Sequence, residues 1–132
     1  MPSSPEALEA EARAFMDAYA RDLRAGDGDA VAARYRRSGA YRMGHGRKVF
    51  APHDSIRARY LERWQGPTSF EWGDLSYEVL GPEAVLVTGT FRWGRADPLD
   101  DLVYSYTAVL TREDGELRLL LEDESTDPRT LD

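Results

Sequence analysis

Apolar side chains recur at intervals of three and four along the start of the chain: Leu8, Ala12, Phe15, Tyr19 and Leu23. Behind Ser4-Pro5, an N-cap residue followed by a first-turn proline, this spacing predicts an amphipathic helix from about residue 5 to 25. Gly26-Asp27-Gly28-Asp29 ends it and supplies caps for a shorter helix over Ala30 to Tyr35, which Ser38-Gly39 interrupts. Ala40 to Met43 and Arg47 to Phe50 flank the turn-rich centre Gly44-His45-Gly46 and predict a small hairpin. Pro52 opens a third helix, with Asp54 in its first turn and Ile56, Tyr60, Leu61 and Trp64 as its apolar stripe, closing at Gly66-Pro67. Then the period changes. Phe70 to Leu80, Val85 to Trp93, Leu102 to Thr111 and Leu117 to Ser125 are strand-length runs rich in Val, Leu, Tyr and Thr. They predict an antiparallel meander turning at Gly81-Pro82 and Asp114-Gly115, with a longer loop over Arg95 to Asp101.

Helices first and antiparallel strands last predict an α+β domain in which the helices cover one face of the sheet. Apolar residues of both parities, such as Leu119 beside Leu120 and Val109 beside Leu110, exceed what one core needs, so a homodimer through the uncovered face is expected. With 132 residues, 42% hydrophobic and 31% charged, one domain with its core over about 5 to 125 is the economical reading. The absence of cysteine excludes disulfides, thiol nucleophiles and Cys-bound zinc. A net charge of -7 repels phosphate backbones, so nucleic acid is not an expected partner. Glu and Arg interrupt the opening segment where a secretory signal needs an apolar run, and no later segment suggests a membrane span, so a cytoplasmic location is expected.

Three strings resemble the nuclear transport factor 2-like superfamily, the cone fold of ketosteroid isomerases and SnoaL-type polyketide cyclases. They are TyrAlaArgAspLeuArgAlaGlyAsp over 19 to 27, Ile56-Arg57-Ala58-Arg59-Tyr60, and AspGlyGluLeuArgLeu over 114 to 119, and the resemblance covers about residues 7 to 125. It implies a cone-shaped roll, three helices on a curved, mostly antiparallel sheet. It also implies that Tyr19 stands where isomerases hold the tyrosine that donates to an enolate oxygen, supported by Tyr35 and Tyr60. A chain of buried phenols can polarise its terminal donor. Three buried aromatic residues with hydroxyls reaching solvent or backbone would produce the same string. The pattern departs at the isomerases' proton-shuttling aspartate, whose position is Met43, and at the second oxyanion donor, which aligns near Thr107 with Ala108 as the alternative register. A thioether cannot accept a proton near neutral pH.

In SnoaL-type cyclases the acid/base lies on the last strand, and the resemblance carries that role to Glu122, seven residues after Gly115. Strand alternation groups Leu120, Glu122 and Glu124 on one face and Leu119, Leu121 and Asp123 on the other, and the resemblance turns the even set towards the cavity. Two carboxyls about 6 to 7 Å apart along a strand raise at least one pKa by repulsion and desolvation. Alternatively, Glu122 and Glu124 face water at the rim, or Arg92 or Arg95 pairs with one of them and lowers its pKa. Tyr35, Met43, Tyr60, Trp64, Thr107, Leu120 and Glu124 are the expected surroundings of a ligand, with Tyr19 and Glu122 as the expected catalytic pair.

His45 and His53, eight residues apart without a fixed carboxylate partner, do not predict a metal site; His53 reads as a solvated first-turn residue and His45 as part of a mobile surface turn. Neither a G-x-S-x-G string nor a phosphate-cradling glycine loop occurs, so serine hydrolysis and nucleotide cofactors are not implied, and no cofactor is expected. Two functions follow as expectations: a cofactor-independent isomerase or cyclase acting on a small apolar carbonyl compound, or a non-catalytic ligand-binding or dimerisation module on the same fold.

Overall fold

The computed structural model describes residues 4–95 and 102–126. Helix α1 (Pro5–Ala25) begins where the Ser4 side chain accepts from the Ala7 amide at 3.1 Å, and it ends at Gly26, whose left-handed φ of 67° few other residues tolerate. Its inward stripe of Leu8, Ala12, Phe15, Met16, Tyr19, Ala20 and Leu23 is buried. Helix α2 (Gly28–Ala33) starts two residues earlier than the pattern predicts, because Asp27 caps it through the Ala30 amide. It also stops short of Tyr35. There the backbone is claimed by the sheet: Arg36 N–H donates to Leu119 O at 3.1 Å and Leu119 N–H donates to Arg34 O at 2.8 Å. Tyr35 is thereby fixed beside the last strand rather than on a helix.

Strands β1 (Ala40–Gly44) and β2 (Arg47–Ala51) form the small hairpin, and helix α3 (His53–Glu62) follows. Ile56 and Tyr60 are its buried residues. Leu61, assigned to the stripe from its spacing, is 50% exposed, and Trp64 packs against Tyr60 from beyond the helix end. His53 is half-buried rather than solvated, its Nε2 lying 3.0 Å from Ala32 O. Strands β3 (Ser69–Gly81), β4 (Ala84–Gly94), β5 (Leu102–Glu113) and β6 (Glu116–Thr126) form the meander. The acidic segment from Asp97 to Asp101 lies outside the described residues.

The six strands lie in the order β2-β1-β6-β5-β4-β3, antiparallel throughout except that β1 and β6 run parallel. One face carries the three helices and the core; this is an α+β cone with an open, curved sheet. Register shifts occur in β3 between Gly73 and Ser76 and between Val79 and Gly81, and between β5 and β6 beside Val109 and Leu110. Gly44 sits at the end of β1 with φ 150°, and a Cβ there would overlap the Glu124 carbonyl oxygen, so glycine is what lets the β1 turn close against β6. Among the described residues no helix is long and apolar enough to cross a membrane.

Candidate active site

The bulge between β5 and β6 decides which carboxylates face inward. Leu110 lies opposite Leu119 and Ala108 lies opposite Glu122, so one residue on β5 faces two, Leu120 and Leu121, on β6. Alternation therefore restarts: Leu117 and Leu119 point into the core before the bulge, and Glu122 does so after it. Leu120 does not share a face with Glu122 as strict alternation predicts; it is the inserted residue, half-buried and away from the described cavities.

Glu122 is 2% exposed and stands on the central strand, flanked in register by Arg42 of β1 and Ala108 of β5. Three phenols, from α1, β5 and the segment after α2, close over it. Tyr19 of α1 donates to Oε2 at 2.8 Å, Tyr106 of β5 donates to the same oxygen at 2.5 Å, and Tyr35 donates to Oε1. Each phenol has one proton, so with Tyr19 and Tyr35 both donating to the carboxylate, the 3.0 Å contact between Tyr35 and Tyr60 has Tyr60 as donor. The 3.2 Å approach of the Tyr19 and Tyr35 oxygens then carries no proton. Burial, above all, and Glu122 next hold the Tyr19, Tyr35 and Tyr106 pKa values above the ordinary phenol range. Tyr60 is likewise raised by burial, against the opposing pull of Arg42. All four remain neutral donors.

Tyr106 is the member that sequence reasoning missed. Tyr106, Ala108 and Leu110 are the inward residues of β5, while Thr107 is half-buried on the opposite parity. The threonine position expected near the ligand is thus turned away from the site, and a phenol one residue earlier occupies it. The signal was available in the parity of Ala108 and Leu110. Met43 likewise alternates with Arg42: the arginine shares the inward parity of Glu122, while Met43 pairs with Asp123 and borders a smaller, shallower cavity.

A cavity of about 720 Å³ opens in front of this cluster. Its walls are aromatic, with Trp64, Phe70, Trp72, Phe91, Trp93 and Tyr104, and the Tyr19 and Tyr60 side chains lie on its inner side. The lining carboxyl is Glu124, not Glu122, which sits behind the phenols and borders only the smaller cavity of about 470 Å³. Glu124 is half-buried, and its pKa is pushed up to about 8 by burial first and by Glu122 next, with Asp123 adding and Arg42 and Arg59 opposing. These opposing cations come from β1 and α3. Arg42 lies under the rings of Tyr35 and Tyr60, 5.7 Å from each centroid, and its Nη1 is buried without a hydrogen-bond partner. Burial works against its charge, yet the surrounding phenols and the two glutamates outweigh that and hold its pKa above the usual value. The structure therefore brings Tyr19, Tyr35, Tyr60, Glu122, Glu124 and Trp64 together, and adds Tyr106 and Arg42.

This architecture is the nuclear transport factor 2-like cone, as the sequence strings imply. A solved NTF-2-like protein of unknown function from Shewanella oneidensis superposes with a TM-score of 0.77 at 15% identity, covering 89% of this chain and 98% of that one. Another, from Pseudomonas putida, gives 0.77 at 19% identity over 93% of this chain and 89% of the other. A structure from Parabacteroides distasonis, named provisionally as a ketosteroid isomerase, gives 0.70 at 14% identity over 98% and 92%. No family model matches the sequence, and no curated protein does. Identities this low establish the fold alone.

The shifted Glu124 fixes a sign for stability against pH. Between the ordinary glutamate range and about 8 the folded protein holds a proton that the unfolded chain has released, so stability falls as pH rises through that window. The urea midpoint should decline from about pH 5 to about pH 8, and Glu124→Gln should flatten the decline. Parallel profiles for the two proteins would contradict this placement of the proton.

Proposed function

We propose that the chain is a cofactor-independent enzyme of the isomerase or cyclase type that moves a proton on a small carbonyl compound held in the aromatic cavity. The observation that carries this reading is Glu124: a carboxyl facing an aromatic cavity rimmed by arginines, with a pKa of about 8, beside the buried phenols. Such a group gives and takes protons near neutral pH. In the ionised form Glu124 removes the proton on the carbon next to the carbonyl, and the C–H electron pair moves into the enolate. The same carboxylic acid then returns the proton to another carbon, so no oxidant or cofactor enters the balance.

Geometry supports Glu124 in the role that resemblance gives to Glu122, because Tyr19 and Tyr60 stand between Glu122 and the larger cavity. Glu122 instead holds the phenols in place. Tyr19 borders the cavity with its proton turned to Glu122. A developing enolate competes for that proton, and rotation of one O–H bond delivers it, leaving Glu122 with two donors. The isomerase name carried by the Parabacteroides relative is consistent with this reading but rests on fold likeness.

The test is exchange of the α-protons of 2-tetralone in D2O, followed by proton NMR. The protein should accelerate exchange above buffer, Glu124→Gln should reduce the enhancement at least about tenfold, and Tyr19→Phe should reduce it several-fold. Absence of catalysed exchange, despite binding of the ketone, would favour the non-catalytic binding module instead.

We also propose that the uncovered sheet face pairs with a second copy of the chain. Leu86, Val109 and Leu121 follow one another across β4, β5 and β6 on that face, half-buried within the single chain. An apolar row of this kind suits a homodimer contact. Sedimentation equilibrium at micromolar concentration should return the dimer mass, and a monomer mass would overturn the pairing.

A further inference from the structure

We infer that the ligand of the aromatic cavity is an anion, in the simplest case a carboxylate on a flat apolar body, and that Arg42 receives its charged end. This rests on the reading of the cavity as the ligand site and deepens it by naming the ligand class.

Three observations converge. Arg42 Nη1 is buried and has no acceptor, although almost every buried donor in a folded protein finds one. The acceptor nearest in register, Glu122, accepts from Tyr19, Tyr35 and Tyr106 instead, and no ion pair joins it to Arg42 among the described residues. The guanidinium is thus held against the Tyr35 and Tyr60 rings, its Nη1 unpaired, in a residue that borders the cavity. Second, the charge of the lining runs against that of the chain. The sequence carries a net charge of -7, yet the cavity is bordered by Arg42, Arg59, Arg63 and Arg95 with Glu124 as the acidic group among the described residues. Third, Glu124 is mostly uncharged below about pH 8, so it does not repel an anion entering the cavity. Asp123 and Glu122 face Glu124 with like charge, and Arg42 and Arg59 face it with opposite charge.

Chemistry selects the ligand. A planar guanidinium matches a carboxylate through paired N–H donors, and a neutral carbonyl uses only part of that capacity. The surrounding tryptophan and phenylalanine rings suit a flat apolar body. Arg59 and Arg63, exposed on α3 and just after it, lie towards solvent and would guide such an anion inward.

The test compares 2-naphthoate with the neutral isostere 2-naphthamide by isothermal titration calorimetry on the intact chain. Naphthoate should bind at least about tenfold more tightly, Arg42→Met should erase the preference, and Arg42→Lys should retain part of it. Should Arg42→Met fail to fold, salt decides on the wild-type protein: naphthoate affinity should fall several-fold between about 20 and 500 mM salt while naphthamide affinity stays level. Equal affinities, an unchanged preference in Arg42→Met, a flat salt response or no naphthoate binding at millimolar concentration would each overturn the inference. Loss of the anion preference with tetralone exchange intact removes this inference alone. Loss of exchange with the preference intact removes only the catalytic reading.

Discussion

One buried carboxylate organises this molecule. Glu122 stands on the central strand with almost no solvent contact, and it persists there because phenols from α1, from the segment after α2 and from β5 each donate a proton to it. A charge withdrawn from water without partners is destabilising by several kcal/mol, and each hydrogen bond from a neutral donor offsets part of that. Because the donors come from separate elements, satisfying the carboxylate also sets where those elements sit. Tyr60 extends the same constraint to α3 by donating to Tyr35. The polar cluster therefore works as a positioning device at the closed end of the cone, and the aromatic cavity is the space left in front of it.

The two glutamates two residues apart on β6 show how environment divides labour between like groups. Glu122 is enclosed by donors; Glu124 meets an aromatic cavity, the neighbouring carboxylate and only distant help from Arg42 and Arg59. Two carboxyls whose surroundings differ in this way suit different tasks, one structural and one for proton transfer. Arg42 completes the arrangement. It is held by aromatic faces and by the field of the cluster, yet its buried Nη1 has no acceptor. An unpaired guanidinium nitrogen beside a lining that carries three further arginines defines what a bound molecule must bring.

Much of the frame was legible in the chain. The spacing from Leu8 to Leu23 and the Ser4-Pro5 start gave α1, and the four β-rich runs gave the meander almost to their ends. The tyrosines at 19, 35 and 60 were readable as one cluster because the resemblance supplied their common address. What escaped was non-local. The bulge beside Leu120 is set by how β6 must follow the bend of β5, which no alternation rule contains, and it changes which β6 residues share a face. The place of Tyr106 depends on the parity of β5, which turns Tyr106, Ala108 and Leu110 inward and Thr107 outward. Arg42 was overlooked because an arginine beside a glycine-rich turn reads as surface, whereas the parallel pairing of β1 with β6 carries it inward. Leu61 was misassigned for a simpler reason: α3 is short, and only part of its apolar stripe meets anything.

The central claim, that the phenols of Tyr19, Tyr35 and Tyr106 converge on a Glu122 carboxylate, can be read directly from the hydroxyl protons. Proton NMR of the wild-type chain should show slowly exchanging tyrosine hydroxyl resonances far downfield of a free phenol, and in a folded Glu122→Gln variant these should move upfield together. Absence of such resonances in the wild type, or their persistence unchanged in Glu122→Gln, would contradict the account.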